Sequence, residues 1–222
     1  MAKLLIGRLQ PRLLGIVLLL AVTLSACATV TKDWQLQQTQ DNLRYYTRLG
    51  PMESLPEFKA TIDVDAPVNK VMNFMIDFSR HPEWVHGCKQ SNVIALDDFS
   101  TAYIYQVTKL PIVRGRDMIM LAKVVRDNEH NQIAISLTAM PSYCDNNSES
   151  NCAQTRNSNY VRVEQAAGTF LLSAKGTNKT HIEWTQFIDP AGSLPDWLIT
   201  ANLSQVPTKS LRRLKQIMET RF

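Results

Sequence analysis

Several common signatures of function are missing from this chain of 222 residues. Its longest apolar run, Leu13–Leu24, is too short for a spanning helix of about twenty residues, which excludes a polytopic membrane protein. With 8 Gly and 10 Pro it is neither collagen-like nor of low complexity, and it contains no internal repeat. No P-loop, Gly-x-Gly-x-x-Gly pattern or Gly-x-Ser-x-Gly elbow occurs, which argues against nucleotide cofactors and serine hydrolases.

Surplus charge is also scarce once the start of the chain is set aside. The 24 Lys and Arg and 20 Asp and Glu give a formal net charge of +4. Lys3, Arg8 and Arg12 precede residue 27, where there is no acid, so the remainder has 24 − 3 = 21 basic against 20 acidic residues. A nucleic-acid partner is therefore not expected. The basic run Lys209–Lys215 is interpreted as a solvated helix face, with a surface facing anionic lipid as the alternative.

The first 26 residues are predicted to form a cleaved export signal. A basic segment, Met1–Arg12, precedes the apolar run, which is the charge and length pattern of a signal peptide. The run ends in Leu24-Ser25-Ala26-Cys27, which resembles a bacterial lipobox. That resemblance implies cleavage before Cys27, attachment of diacylglycerol to its thiol, and acylation of the new amino terminus. An ordinary cleaved signal with an incidental cysteine is the alternative.

The predicted anchor keeps the mature chain at a membrane surface. Residues 27–32 form the lipidated cysteine and a tether, and five extended residues reach less than about 20 Å. Three acyl chains hold such a protein almost permanently, since each buried methylene contributes about 0.8 kcal/mol. Ala28 stands where inner-membrane lipoproteins often carry Asp. The lipobox resemblance therefore implies the bacterial cell envelope, on the outer membrane facing the periplasm, with the folded domain over residues 33–222.

The other three cysteines have different predicted roles. Cys144 and Cys152 flank a polar stretch in a compartment that permits disulfides, so we predict a bridge between them. Closing so short a loop stabilises a protein by about 2–3 kcal/mol in the chain-entropy model. Cys88 is left unpaired and is interpreted as a small buried apolar residue.

Neither a metal nor a cofactor is expected. His81, His86 and Cys88 lie within eight residues, but their spacing fits no zinc pattern and no second ligand pair follows. Asp97-Asp98 has the character of a turn. His181 alternates on a predicted strand and is expected at an edge or solvent position rather than as a general base.

Hydrophobic periodicity predicts an α+β domain. Asp65-Ala66-Pro67 opens a helix with Pro near its first turn, and a long helix follows Pro195, with Pro207 kinking or interrupting it. Short polar connections between the later strands are typical of an antiparallel meander. Strands are predicted at Trp34–Leu36, Leu43–Arg48, Phe58–Asp63, Asn92–Leu96, Thr101–Val107, Asp117–Val125, Gln132–Met140, Tyr160–Gln165, Gly168–Ala174 and His181–Phe187.

Three stretches resemble the StAR-related lipid-transfer (START) domain family. The most specific runs from Gly168 to Leu198 and contains Thr180-His181-Ile182-Glu183-Trp184, then the family's Asp-Pro-x-Gly-x-(apolar)-Pro-x-Trp pattern. Arg114–Met118 resembles the family's Arg-Asp strand, and Trp34–Leu36 with Tyr46–Arg48 its opening strands. The family's long first helix is missing here. The resemblance, over about residues 33–221, implies a helix-grip (START/Bet v 1-like) fold, with a curved antiparallel sheet wrapped around the C-terminal helix.

Such a fold implies an internal cavity for a lipid or another hydrophobic molecule. Met suits adaptable binding surfaces, although ordinary core packing is the alternative for each apolar candidate. In the family the Arg of the Arg-Asp pair points into the cavity, so Arg116 is a candidate for a lipid head group or, alternatively, a structural ion pair. The predicted lining residues are Tyr103, Tyr105, Arg116, Met118, Met120, Met140, Phe170, Leu172, Trp184, Trp197, Leu198 and Ala201.

The loop before the last helix is expected to gate the cavity. The resemblance assigns this role to the loop and helix together, and Pro190, Gly192 and Leu194 are the candidate gate residues. Plain turn chemistry explains Gly192 equally well. We expect a non-enzymatic protein that binds a hydrophobic ligand for transfer or presentation at the membrane. The alternatives are an envelope interaction protein with a collapsed cavity and an enzyme that uses the cavity.

Overall fold

The computed structural model describes residues 32–52, 55–145, 147, 150–155 and 159–221. It contains ten strands, in many of which buried and exposed residues alternate. The predicted signal peptide, Cys27 and most of the tether lie outside these residues. In β3 every second side chain from Phe58 to Val64 is buried. The strands are β1 (Gln35–Gln40), β2 (Leu43–Leu49), β3 (Pro56–Val64), β4 (Cys88–Asp98), β5 (Thr101–Thr108), β6 (Arg116–Asp127), β7 (Gln132–Ala139), β8 (Val161–Arg162), β9 (Gln165–Ala174) and β10 (Thr180–Asp189).

The strands form a single curved sheet in the order β1-β2-β3-β10-β9-β7-β6-β5-β4. Every neighbouring pair on this path is antiparallel, and the pairing of β3 with β10 joins the start of the domain to its last strand. Three register shifts between β4 and β5 bend that edge of the sheet. The predicted helix-grip fold is confirmed.

Three strand predictions differ from the structure. β1 ends at Gln40, four residues after the predicted strand. β4 starts at Cys88, four residues before the predicted strand. The predicted strand Tyr160–Gln165 is split, because only Val161 and Arg162 pair, in parallel, with the start of β6, and β9 begins at Gln165. A strand of two residues is too short to show hydrophobic alternation, so the sequence-based prediction joined β8 to the residues that follow it.

Helices cover the concave face of the sheet. α1 (Val68–Ile76) buries Val71, Met72, Phe74 and Met75, and its Pro67 lies at the N-cap, as the Asp65-Ala66-Pro67 pattern predicts. A 3-10 turn (Phe78–Arg80) leads into the single helical turn α2 (His81–Trp84). α2 buries both His81 and Trp84 against the sheet.

The last helix, α3 (Asp196–Arg221), continues through Pro207 without interruption. Proline removes one backbone donor, but Pro207 is itself buried, and tertiary packing supplies most of the stability of such a helix. Two hydroxyls that follow Pro207 bond back to the helix, from Thr208 to the Ser204 carbonyl at 2.7 Å and from Ser210 to the Val206 carbonyl at 2.5 Å. The burial of α3 against the sheet therefore outweighs the one backbone hydrogen bond that Pro207 removes, and the predicted interruption does not occur.

Two apolar clusters lie on opposite faces of the sheet. The larger one joins the concave face to α1, α2 and α3, whose Leu211, Leu214, Ile217 and Met218 are buried in it. The smaller one, around Tyr105 and Ile119, lies on the convex face under the Cys144–Cys152 loop. Among the helices of the described residues, none is both long and apolar enough to cross a membrane.

One end of the sheet, which we call the mouth end, carries the loops that surround the site described below. β2 and β10 finish there, at Leu49 and Asp189, and the antiparallel register places the β5–β6 loop (residues 109–115) at the same end. The described part of the chain also begins there, since Gln35 pairs with Thr47 and Lys32 borders the same surface depression as Gly50 and Pro51. The opposite end carries the β1–β2, β4–β5 and β6–β7 turns.

Candidate ligand cavity

A cavity of about 150 Å³ lies between the concave face of the sheet and the first half of α3. Strand alternation brings the predicted residues of β6, β9 and β10 to its wall, while the loop before α3 and the helix itself close it. The predicted residues that line it are Arg116, Met118, Met120, Phe170, Trp184, Leu198, Pro190 and Leu194.

Stacked aromatic rings form the apolar wall. The rings of Phe170 and Trp184 stack with their centroids 4.6 Å apart. Phe58 contacts Trp184 edge-on at a centroid distance of 5.1 Å, and Trp84 contacts Phe170 edge-on at 6.0 Å. The indole N–H groups of Trp84 and Trp184 are buried and have no acceptor among the described residues. A buried donor without an acceptor costs about 1–3 kcal/mol of stability, so each of these two indole N–H groups destabilises the fold by about that amount.

Polar side chains occupy the part of the cavity nearest the mouth end. Thr108 pairs with Arg116, Gln106 with Met118 and Ile104 with Met120, so the β5–β6 wall changes from polar to apolar over two rungs. Gln186 on β10 is also polar and lies on the mouth side of Trp184, but Leu55, Leu110 and Ile188 line the same end. Polar and apolar side chains therefore share the mouth end of the cavity.

His81 adds a neutral polar group to this region. Its Nε2 donates to the Met75 carbonyl at 3.0 Å, and its Nδ1 lies 3.3 Å from Oε1 of Gln106. Burial lowers the pKa of His81 below its ordinary value, because the charged imidazolium loses its hydration. Sequence reasoning missed His81, Trp84, Gln106 and Gln186 as lining residues.

Arg116 is held by backbone carbonyls and not by the structural ion pair that was considered as an alternative for it. Its guanidinium donates to three backbone carbonyls, from Nε to Pro190 at 2.9 Å, from Nη2 to Ala191 at 2.9 Å and from Nη1 to Arg114 at 2.5 Å. Burial lowers the pKa of Arg116, and the positive charge of Arg114 lowers it further. Arg116 thus fastens the loop between β10 and α3 to the start of β6.

Asp117 faces the opposite side of β6, as strand alternation predicts. Arg162 grips it with two bonds, Nε to Oδ1 at 3.0 Å and Nη2 to Oδ2 at 2.9 Å, and the Tyr105 hydroxyl donates to Oδ2 at 3.1 Å. Arg162 also donates to the carbonyls of Pro141 and Thr155. This network fastens the disulfide loop to the convex face.

Three predicted lining residues lie on that convex face instead of in the cavity. Tyr105 bonds Asp117, and Tyr103 stacks on Tyr143 with ring centroids 3.7 Å apart. Met140 packs against the same convex cluster. The pairing of Thr108 with Arg116 sends the even-numbered residues of β5 into the cavity, so the odd-numbered tyrosines point away.

Four further predicted residues lie outside the cavity wall. Leu172 belongs to the concave core but not to the lining. Trp197 is 57% exposed, because Leu198, one residue and about 100° further around α3, takes the inward position. Ala201 is half-buried beside the lining, and Gly192 is exposed with φ +65°, in the loop that Arg116 holds.

The surroundings of the described cysteines and of His181 are those of structural residues. Cys144 and Cys152 form the predicted disulfide, and both are buried. Cys88 is free and half-buried, and burial raises the pKa of its thiol to about 12. His181 is half-buried outside the cavity lining and lies 2.6 Å from Asp63. Within the described part of the chain, no three metal-ligating side chains lie close enough to hold an ion.

A comparison with protein families matches this chain to the START domain over residues 21–220. A curated relative, an uncharacterised protein of Pseudomonas aeruginosa, is 23% identical over 193 residues, which is 86% of this chain and 90% of that protein.

Solved structures share the architecture. The STAR-related lipid transfer protein of Xanthomonas axonopodis aligns with a TM-score of 0.72 and 19% identity over 84% of this chain and 99% of that one. The human StarD13 lipid transfer and protein localization domain gives 0.70 and 18%, over 85% and 90%. An aromatase/cyclase of a Streptomyces species gives 0.50 and 11%, over 74% and 94%. Family match and architecture agree: the chain belongs to the START domain family.

Proposed function

We propose that this protein binds a lipid or another hydrophobic small molecule in the cavity under α3 and presents it at a membrane. The observation that carries the proposal is an apolar, aromatic-walled space inside a START domain whose end is closed by a single loop and helix. The cavity is not collapsed, which disfavours the alternative of a purely structural envelope protein. Binding would follow from burial of apolar ligand surface, at about 25 cal/mol per Å².

Binding suits the cavity better than catalysis does. The residues that line it include no Asp or Glu among those the structure describes, and burial lowers the pKa of His81, although its contacts with Met75 and Gln106 act in the opposite direction. Acid–base chemistry needs a proton-transfer group with a pKa near the working pH and a partner within reach. The likeness to the aromatase/cyclase is one of fold, so the enzyme alternative has no catalytic pair to support it in this wall.

Native mass spectrometry of the mature domain tests the proposal. The Cys27→Ser chain, purified from a bacterial periplasm without detergent, is expected to carry a non-covalent adduct that extracts as a discrete lipid. A protein that is folded and monodisperse but empty, and that takes up no hydrophobic probe afterwards, would overturn the proposal. Met120→Trp fills part of the wall and should lower the bound fraction several-fold, while Val125→Trp, an exposed position at the other end of β6, should not.

The mouth end is proposed to face the membrane. The described chain begins there, so a lipid on Cys27 would be separated from the mouth by a tether of only a few residues. Three large apolar side chains, Met52, Ile112 and Trp197, are exposed at this end. Ile112 has φ +58°, a backbone conformation that strains a β-branched residue and that suits function better than stability.

Charge at the loop tip favours the same orientation. Ile112 is flanked by the exposed Lys109 and Arg114, and the loop 109–115 contains no acid. Near an anionic leaflet each basic residue contributes about 1 kcal/mol of attraction. The far end also exposes apolar residues, Leu96 and Phe99, but these lie beside Asp97 and Asp98, which such a leaflet repels.

Vesicle binding separates the two ends of the domain. In the soluble Cys27→Ser chain, Ile112→Asp is expected to weaken co-sedimentation with phosphatidylethanolamine/phosphatidylglycerol vesicles by about tenfold, because burying an Ile side chain is worth about 1.5–3 kcal/mol. Leu96→Asp is the matched control, since Leu96 is 74% exposed against 83% for Ile112. Equal losses from both variants, or a larger loss from Leu96→Asp, would show that the mouth end is not the docking face.

A further inference from the structure

We infer that a depression on the solvent-exposed side of α3, which we call the basic depression, binds a phosphate group at a site separate from the ligand cavity. It has a volume of about 490 Å³ and lies between the middle of α3 and the segment that joins α2 to β4. Lys209, Arg212 and Arg213 line it from the helix, and residues 84–88 line it from the opposite side. The inference goes beyond the proposed function, because it requires neither an occupied cavity nor a particular orientation at the membrane.

The three cations form one stripe of α3 that no carboxylate neutralises. Lys209, Arg212 and Arg213 are spaced i, i+3 and i+4, so their side chains are neighbours on the helix surface. Like charges four residues apart destabilise a helix. Within the described residues none of the three forms an ion pair, whereas Lys215, in the same basic run, pairs with Glu219. The structure thus separates one neutralised lysine from three uncompensated cations.

Each cation is held in place by one neutral oxygen and keeps most of its donors. Nζ of Lys209 donates to Oε1 of Gln205 at 2.6 Å, and Nε of Arg213 donates to the Glu83 carbonyl. Arg212 likewise donates once, to the glutamine side chain at the end of β1. Because a lysine has three N–H donors and an arginine five, most of these donors stay available to an anion. Charge-assisted hydrogen bonds to phosphate oxygens are among the strongest in proteins.

The segment opposite α3 separates the basic depression from the cavity. Residues 84–86 line both spaces. The backbone N–H of His86 donates to the Ser210 hydroxyl on α3 at 2.9 Å. The Gly87 carbonyl accepts the backbone N–H of Lys109 at 2.9 Å. With the segment fixed at two points, the depression is ordered before a ligand arrives, which lowers the entropic cost of binding.

The charges that face His86 favour an anion. Burial lowers the pKa of His86, and the positive charge of Lys209 lowers it further, while the two arginines of α3 line the same space. The opposite segment contains a single acid, Glu83, whose carboxylate oxygens accept from Arg80 at 2.8 and 3.0 Å. Cys88 stays a neutral thiol, because burial raises its pKa to about 12. A bound anion would stabilise the imidazolium, so the pKa of His86 should rise when the depression is occupied.

The arrangement of the cations favours phosphate over carboxylate. A phosphate ester has several acceptor oxygens and up to about two negative charges, whereas a carboxylate has two oxygens and one charge. Three cations within little more than one helical turn can therefore contact different oxygens of one phosphate. Such a group can belong to a phospholipid head group of a nearby leaflet or to a soluble phosphate ester, because both present the same oxygens.

NMR titration of His86 in the Cys27→Ser chain tests the inference. Glycerol 1-phosphate at constant ionic strength is expected to shift the His86 ring resonances saturably, with a Kd of about 1 mM or below, and to raise the pKa of His86. The resonances are identified by their loss in His86→Gln. Combining Lys209→Gln with Arg213→Gln should weaken binding about tenfold or more. The control combines Lys123→Gln with Lys175→Gln, two exposed lysines outside the depression, and should stay within about twofold.

Vesicles distinguish the two sources of the phosphate. If it is a lipid head group, the Lys209→Gln, Arg213→Gln variant should also lose about tenfold in co-sedimentation with phosphatidylcholine/phosphatidylglycerol vesicles. If it is a soluble ester, this variant should sediment like the wild type and still lose glycerol 1-phosphate. Absence of a saturable His86 shift, or an equal shift in the variant, would overturn the site and leave the cavity function untouched. Should the variant fail to fold by circular dichroism, Lys209→Gln alone, at an exposed position, decides the question.

Discussion

Replacing Cys27 with Ser is expected to move the protein from the membrane fraction to the soluble periplasmic fraction almost completely. The expectation follows from the resemblance of Leu24-Ser25-Ala26-Cys27 to a lipobox, in which only a thiol can accept the diacylglycerol. Three acyl chains bind a bilayer nearly irreversibly, whereas the exposed apolar residues of the mouth end offer only a weak and reversible contact. Cell fractionation followed by immunoblotting measures the shift.

A matched cysteine variant serves as the control for that shift. Cys88→Ser also removes a free thiol, but Cys88 lies half-buried at the start of β4, so this variant should stay with the membranes. Mass spectrometry of the wild-type amino-terminal peptide should show an acylated Cys27. Persistence of the Cys27→Ser protein in the membrane pellet after a carbonate wash would show that the interpretation of the first 27 residues as a lipoprotein signal is wrong.

The proposed anchor would matter for function because of where the described part of the chain begins. Lys32 lies beside the β2–β3 loop at the mouth end, and not at the end where α3 finishes. A tether of about 20 Å or less would therefore keep the cavity opening within reach of the bilayer. A ligand could then pass between membrane and cavity without crossing water, if the loop held by Arg116 opened.

Much of the fold could be predicted from local pattern alone. β3 from Phe58 to Val64 and β10 from Thr180 to Gln186 alternate between buried and half-buried positions, and such alternation is independent of what the strands pair with. α2 and β8 could not be predicted in this way. The single turn His81–Trp84 is too short to show a helical period, and Val161–Arg162 is a strand only because it meets β6.

The site was harder to predict than the fold, because lining depends on register. Met118 and Met120 share the parity of Arg116, and all three face the cavity. On β5 either the even-numbered or the odd-numbered residues could face the cavity, and only the pairing of Thr108 with Arg116 decides between them. That pairing depends on the irregular loop 109–115, which the sequence pattern does not specify. Trp197 was misplaced for a related reason, since a helix turns about 100° between neighbouring residues.

A loss of about 3 kcal/mol in the free energy of unfolding is expected for Asp117→Ala. The change removes the acceptor of two Arg162 bonds and of the Tyr105 hydroxyl, while the side chain of Arg162 remains three-quarters buried. Breaking a buried pair from one side typically costs about 3–5 kcal/mol, and the partial exposure of Arg162 places this one at the lower end. Denaturant unfolding followed by tryptophan fluorescence gives the value.

Two variants show whether the loss comes from the buried charge rather than from the deletion of any aspartate. Asp127→Ala removes an exposed carboxylate at the far end of the same strand, where its partners are the neighbouring turn and His130, and should cost less than about 1 kcal/mol. Asp117→Asn keeps an acceptor for Tyr105 but not the charge, and should fall between the two. Since Arg162 joins Asp117 to the carbonyls of Pro141 and Thr155, the Asp117→Ala domain should also expose the disulfide loop to proteases. Equal stabilities for Asp117→Ala and Asp127→Ala would mean that the convex network contributes nothing beyond its packing, and that the disulfide alone holds the loop.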